Sequence, residues 1–391
     1  MIVNGKRALA YIVEIDSIVP IEGADNIELA HIGGWNVIVK KQEFNAGDKA
    51  VFFEIDSLLP EREWSEFLRP KKFRVKTYKL NKFGVISNGL ILPISILPDG
   101  TDTTVNTDVT DILGVTYYVK EDNERNGNRN PNAKYNNMVA RHKKLAKKKW
   151  FKWLMKREWG RRLLFVFFGK KNDNPKVFPS WITKTDEERC ENMTWVLEVK
   201  DPFVVTEKID GTSTTFFLDA TKRKHDFGVC SRNVRQLDIN QTNYHTNVNG
   251  APNVYWEMAL RYDVENVLKD IAKTYNVERV VLQGETYGES LQGNPLKIKG
   301  RDFAAFNLVF DGVRLGSIEA KEILDKHGIP FVPIIDKHYI MPDDFEEFKA
   351  TADKFSTIND KCLQEGFVYR SKDGKLSFKN VSNKFLMKKK D

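Results

Sequence analysis

The chain has 391 residues, 41% hydrophobic and 30% charged, with a formal net charge of +8. That length supports two or three domains with separate cores, and the composition is that of a globular protein. No run approaches the roughly 20 apolar residues of a membrane span, and the opening MIVNGKRALAYIVEID lacks the apolar core and cleavage site of a signal peptide. Cys190, Cys230 and Cys362 are odd in number and far apart, so neither a disulfide framework nor a zinc site is expected, and a reducing cytoplasm is the expected location.

Residues 1–118 read as short strands. ALAYIVEIDSIVPI, WNVIVKKQEF, KAVFFEIDSLLP and GLILPISIL are rich in β-branched and aromatic residues, and turn signals such as Asn88-Gly89 separate them. Short strands without long intervening helices predict a small barrel of the OB type. Its basic stretch RPKKFRVKTYKLNKFG, with Phe73, Tyr78 and Phe83 interleaved, has the composition of a surface that follows a phosphate backbone.

Residues 119–176 read as a linker. YVKEDNERNGNRNPNAKYNN is polar and Asn-rich, which predicts a flexible connection. A basic aromatic helix is expected to follow it. Between Arg141 and Lys171 there are thirteen Lys/Arg residues against one acid, Glu158, so the rest of the chain is net acidic. Trp150, Phe151, Trp153, Leu154 and Trp159 recur among these cations at roughly helical spacing. Such a segment suits a solvated helix packed on the protein, a nucleic-acid contact or an anionic membrane surface.

Residues 177–391 return to a globular composition. Strand-like runs (WVLEVKDPFVVTEKIDGTSTTFFLD, VVLQGETYG, FAAFNLVFDGVRL, GFVYRS) alternate with helical patterns (VYWEMALRYDVENVLKDIAKTY, SIEAKEILDKHG, DDFEEFKATADKF), which predicts an α+β domain. Within it, Lys208 opens the tetrapeptide Lys-Ile-Asp-Gly between two predicted strands. Alone, that match is weak and describes a lysine beside a turn. A lysine amine attacks phosphorus only when unprotonated, and its ordinary pKa of about 10.4 makes that form rare. Cations nearby, or a metal held by an acidic neighbour, lower that barrier.

Downstream, further landmarks follow in order: Arg232 in CSRN, Glu285 in LQGETYGES, Phe306 in RDFAAFNLVF, Glu365 in LQEGFVYRS, and Lys379 and Lys384 in LSFKNVSNKFLMKKK. The set resembles the nucleotidyltransferase motifs I, Ia, III, IIIa, IV and V of the covalent ligase superfamily. It covers about residues 178–388. GGWNVIVKKQEFNAGDKAVFFEIDSLLP, FRVKTYKLNKFGVISNGLILPI and FPSWITKTDEERCEN resemble, more narrowly, the Deinococcus and Naegleria type of ATP-dependent RNA ligase. DNA ligases and capping enzymes of the superfamily carry an OB domain after motif V. Here the sequence runs only a few residues past Lys384, which points away from both.

The resemblance implies a multidomain α+β protein: an N-terminal OB-like β-barrel, then a nucleotidyltransferase (adenylyltransferase) domain of ATP-grasp-like ligase type with antiparallel sheets. It implies that Lys208 attacks the α-phosphorus of ATP, that a lysyl-AMP forms, and that AMP passes to a 5′-phosphate RNA end which a 3′-OH then attacks. Asp210, Glu285 and Glu365 would face Mg²⁺ or Mn²⁺. Glu285 would also serve the ribose. Lys379 would contact the α-phosphate and lower the Lys208 pKa, with Lys384 assisting. Arg232 would hold phosphate, Phe306 would stack on adenine, and Glu207 would help fix the adenine pocket through its backbone. The expected partner is RNA with 3′-OH and 5′-phosphate ends, in nicked duplex, handled by a monomer in RNA repair without a membrane. Two alternatives stand beside this one: a polynucleotide ligase acting on DNA or mixed strands, and a catalytically silent OB-type RNA-binding protein.

Overall fold

A computed structural model describes residues 1–3, 6–80, 82–118, 145, 147–168, 176–221, 223, 225–236 and 253–388. The longer N-terminal strands are β1 (Ala10–Glu14), β2 (Ser17–Pro20), β3 (Ile27–Ile32), β4 (Trp35–Lys40), β5 (Lys49–Phe53) and β6 (Leu90–Pro93). They form two three-stranded antiparallel sheets, ordered β6-β5-β1 and β2-β3-β4. In β4 the alternation of Trp-Asn-Val-Ile-Val-Lys turns Trp35, Val37 and Val39 inward. Those side chains meet Val13, Phe52 and Ile91 of the other sheet in one core. Asn88 N donates to Asn36 O at 2.7 Å and Ile38 N donates to Ser87 Oγ at 3.0 Å, joining β4 to the segment that leads into β6. This is the expected small OB-type barrel.

The basic segment forms two helices rather than one, α1 (Lys149–Met155) and α2 (Glu158–Phe168). Gly160 permits the close turn, because a Cβ there would overlap the Leu154 carbonyl oxygen. The Asn-rich stretch read as a linker lies, beyond Tyr118, outside the described residues.

The remainder is built on two sheets. One has the order β7 (Glu188–Arg189), β15 (Ser377–Val381), β14 (Gly366–Ser371), β8 (Phe203–Lys208), β13 (Ile334–Tyr339). The other is seven-stranded and centred on β10 (Asp226–Ser231), β9 (Thr212–Asp219), β11 (Arg279–Gly288) and β12 (Arg301–Phe310). Pairing is antiparallel throughout both except between β7 and β15, which run parallel with Arg189 opposite Lys379. Helices α3 (Val254–Arg261), α4 (Val264–Tyr275) and α5 (Ser317–Asp325) cover the larger sheet. In α4, Val264, Leu268, Ile271 and Ala272 are buried, one face of a helix at the spacing i, i+4, i+7, i+8. Under the smaller sheet, Phe203, Tyr369 and Phe378 pack with Phe348 of α6 (Phe345–Ala350). Helix α7 (Asn383–Lys388) follows β15.

One side chain ties the two halves together. Asn192 Oδ1 accepts from Tyr11 Oη at 2.9 Å and from Trp35 Nε1 at 2.6 Å, while its Nδ2 donates to Glu54 Oε1 at 3.0 Å and to Glu188 Oε1 at 2.8 Å. Beside it Gly34 N donates to Glu191 O at 3.0 Å. A Cβ on Gly34 would overlap the Phe345 ring and lie 2.7 Å from Glu191 Cα. Gly34→Ala should therefore lower the stability of the full chain by about 1–3 kcal/mol, the usual cost of overpacking. Urea denaturation checks this, and an unchanged midpoint would mean that the two halves do not depend on this contact.

Candidate active site

The Asp210-Gly211 turn signal does not close a hairpin. β8 pairs with β13 and β14, whereas β9 pairs with β10 and β11, so residues 209–211 carry the chain from one sheet to the other. Lys208 ends the first sheet at this crossing. Gly211 is required there, since a Cβ would overlap the Thr286 carbonyl oxygen and lie 3.1 Å from Glu285 Cγ.

Register brings the carboxylates in. Lys208 pairs with Gly366, which places Glu365 beside it, and Lys208 Nζ donates to Glu365 Oε2 at 2.6 Å. Glu285 lies opposite Ser213 in the β9–β11 pair, and its Oε1 accepts from Gly211 N at 3.1 Å. Burial pushes the Glu285 carboxyl up to about 8; the Glu365 and Asp210 charges add to this, and the Lys208 ammonium and Gly211 N–H oppose it. For Lys208, burial disfavours the charge, yet Glu365, Glu285 and Asp210 outweigh burial and hold its pKa above the ordinary value. This reverses the expected direction. The depressed lysine is Lys379, which burial and the charges of Arg7, Arg189 and Lys208 bring down to about 7 against the pull of Asp186.

Among the described residues no three His, Cys, Asp or Glu side chains stand close enough to form a ready-made metal cage. Glu365 is engaged by Lys208 instead. The oxygen chemistry of Asp210, Glu285 and Glu365 nevertheless fits Mg²⁺ or Mn²⁺, because such an ion takes one or two carboxylates and completes its shell with water and substrate phosphates. The raised Glu285 pKa reports first its burial and then the gathering of acids, which a cation would relieve.

The other sequence-predicted residues divide. Phe306 sits at a register shift of β12, where Gln283 pairs with Asn307 and Gly284 with Ala305, so Phe306 is the extra, bulged residue. Its ring joins a cluster with Ile209, Tyr287, Leu296 and Val332 next to the crossing. The buried Arg370 holds this bulge by donating to Phe306 O at 2.6 Å, and is itself paired with Glu187 at 3.0 Å. Arg232 donates to Asp186 Oδ1 at 2.5 Å and lies 5.3 Å from the Tyr117 ring centre, against the N-terminal half. Glu207 is spent on the fold. Its buried carboxylate accepts from Thr357 N at 2.9 Å, Thr357 Oγ1 at 2.6 Å and Ser356 Oγ, and its backbone N donates to Pro333 O at 2.9 Å. Lys384 is exposed on α7, and its backbone N donates to Asp353 Oδ1 at 3.1 Å.

Reading single residues missed Arg7, Asp186 and Arg189, which surround Lys379 with charge. Arg7 comes from the N-terminal half, held by Glu54 at 2.7 Å. Arg189 is buried beside Lys379 on the parallel strand. Asp186 and Arg189 lie in TKTDEERCEN, a stretch whose only signal is its family resemblance.

The Glu285 shift has a testable sign. Its pKa is about 8 folded against an ordinary 4.5, so in that window the folded state binds more protons and stability falls as pH rises. Glu285→Gln should remove this loss, so that its stability relative to the parent chain increases from pH 5 to pH 8. Urea unfolding with a chelator present measures it, and an equal difference at both pH values would contradict the assignment.

An RNA ligase family model matches residues 201–390, and an OB-fold domain model matches residues 9–94. No curated protein matches. Solved structures of the Naegleria gruberi RNA ligase are similar over the whole length. A mutant form with ATP and Mn is 30% identical with a TM-score of 0.73, over 98% of each chain. Another mutant with AMP and Mn is 29% identical with a TM-score of 0.72, covering 98% of this chain and 99% of that one. The form with PPi is 29% identical at a TM-score of 0.73, with the same coverage.

Proposed function

The chain belongs to the RNA ligase family, and we propose that it joins RNA 3′-OH and 5′-phosphate ends at the expense of ATP, with Lys208 as nucleophile. The observation that carries this reading is the Lys208 ammonium at the crossing of the two sheets, 2.6 Å from Glu365 and within the field of Asp210 and Glu285. The Naegleria structures hold ATP, AMP and PPi, the substrate and products of an adenylyl transfer.

In the first step the Lys208 amine forms an N–P bond to the α-phosphorus of ATP, the bond from that phosphorus to the bridging oxygen breaks, and pyrophosphate leaves. In the second, an oxygen of the RNA 5′-phosphate takes the AMP from Lys208. In the third, the 3′-OH attacks the adenylated end and AMP departs. Splitting one displacement into activated transfers is the gain of covalent catalysis.

The residues divide the work by charge. Glu365 orients the Lys208 amine and accepts its proton. Asp210, Glu285 and Glu365 would hold a divalent cation, which when bound would supply positive charge to offset these carboxylates and the α-phosphate. Lys379, with Arg189 and Arg7 behind it, stabilises charge developing on the α-phosphate; groups of this kind contribute about a hundredfold each. Phe306 lies against the adenine, in the apolar cluster beside Ile209. Arg232 takes a phosphate, leaving Asp186 to do so. The division into residues 1–118, 119–176 and 177–391 belongs to this proposal, as do a monomeric state, a nicked-duplex substrate, RNA repair and the cytoplasm. The buried free thiols of Cys190, Cys230 and Cys362 suit a reducing compartment. Among the described residues no helix is long and apolar enough to cross a membrane.

Incubation with α-³²P-ATP and Mg²⁺ or Mn²⁺ tests the first step. The parent chain should acquire an acid-labile label that survives denaturation, Lys208→Ala none, and Lys379→Ala about a hundredfold less per unit time. No label with either metal would refute the reading. Comparing the sealing of all-RNA and all-DNA nicks then decides the acceptor.

A further inference from the structure

The α1–α2 hairpin takes no part in the chemistry above, yet it is where the basic charge of the protein is concentrated. Its small core is made from its own residues: Phe151 and Leu164 are buried against Leu145, Leu154, Met155 and Phe168. With those side chains turned inward, Trp150, Trp153 and Trp159 are left 44%, 51% and 54% exposed. Trp153 and Trp159 meet edge to face at 6.0 Å, so they stand at right angles and present rings in different directions. The Arg157 guanidinium lies 3.7 Å above the Trp153 ring, making a second flat surface on top of the first.

Around these rings the exposed side chains of Lys147, Lys148, Lys149, Lys152 and Lys156 carry only positive charge. The one acid of α1 and α2, Glu158, is already paired with Arg162 at 2.7 Å. Cations at phosphate reach beside aromatic and guanidinium planes are the recognition chemistry of unpaired nucleic acid, whose bases have free faces to stack and whose backbone is an even line of charge. A duplex offers the charge but hides the faces.

The position of the hairpin in the chain fits that chemistry. The segment containing it leaves the N-terminal half at Tyr117, whose ring lies 5.3 Å from Arg232 and 5.8 Å from Arg7. It rejoins the ligase half just before Phe178 and Ile182, which pack on Phe217 of β9. The first attachment point therefore lies beside Arg7, one of the charges around Lys379, and the second lies on the sheet that carries Glu285.

We infer that this hairpin is a docking surface for an unpaired RNA strand, stacking bases on Trp150, Trp153 and Trp159 while Lys148, Lys149 and Lys152 contact phosphates. The inference rests on the reading of the chain as an RNA ligase for its choice of RNA. Leu163, Val166 and Phe167 form a separate exposed ridge on α2; it is the part that an anionic bilayer would take up, and the test includes that outcome.

The probe is a fluorescein-labelled, unstructured 20-nucleotide RNA with both ends blocked, titrated by anisotropy against the full chain without ATP. The triple variant Trp150→Ala, Trp153→Ala, Trp159→Ala should bind about tenfold or more weakly at every salt concentration. The triple variant Lys148→Gln, Lys149→Gln, Lys152→Gln should lose about 2 units of slope in log K against log salt, the loss of three phosphate contacts on a single strand. Both should still label themselves with α-³²P-ATP at the parental rate, which shows that they are folded and keeps the two readings separate. If the parent chain takes no label, the ligase reading fails, and the comparison of RNA affinities still decides the docking surface. RNA affinity within twofold of the parent for both variants overturns the inference. The same result together with lost binding to phosphatidylserine vesicles assigns the hairpin to a membrane surface instead.

Discussion

The ion pair between Lys208 and Glu365 sets the arrangement of the whole catalytic half. It exists because β8 and β14 are paired in a register that puts Lys208 opposite Gly366, and that register needs glycine: Gly366 has φ near 152°, and a Cβ there would overlap the Asn380 carbonyl oxygen. From this pair the chain crosses at once to the second sheet, where Gly211 N fixes Glu285. Three acids and one lysine therefore converge where two independently packed sheets meet, and neither sheet alone contains the set.

Such convergence is costly without substrate. Glu285 is driven toward its neutral form and Lys208 is held in its charged, unreactive one. Two strands away in the same sheet the charges are reversed: burial, with Arg7 and Arg189, brings the Lys379 pKa down to about 7. Acids gathered next to bases are complementary to a nucleoside triphosphate bound with a divalent cation, because the cation would meet the acids and the phosphates the bases. The N-terminal half reaches Lys379 through the charge of Arg7, which Glu54 holds, and Asn192 links Glu54 back to the ligase half.

Much of this was legible in the sequence, and the physical reason is locality. Lys208, Asp210 and Glu365 lie at strand ends or turns and Glu285 within β11, all in short stretches that carry their own signals, and the strand and helix patterns around them follow from burial on one face. What was not legible depends on distant pairing. The parallel contact that sets Arg189 beside Lys379, and the approach of Arg7 from the other half, leave no mark in spacing. Glu207 stands next to Lys208, yet its carboxylate is taken up by Ser356 and Thr357, about 150 residues away in sequence. Lys384 shares the basic tail with Lys379 but faces solvent from a helix. The basic segment read as one helix because its periodicity continues through Gly160, whereas the contact with Leu154 folds it back on itself.

The direction of the Lys208 pKa is the sharpest consequence of this charge arrangement. Lysine-selective ¹³C,¹⁵N NMR, with Lys208→Ala to assign the resonance, measures the Lys208 amine first without metal and then with Mg²⁺ and a non-hydrolysable ATP analogue. The account predicts a pKa above the ordinary value of about 10.4 in the first state and a clear fall in the second. A Lys208 pKa already depressed without metal, or one unmoved by metal and nucleotide, would contradict it.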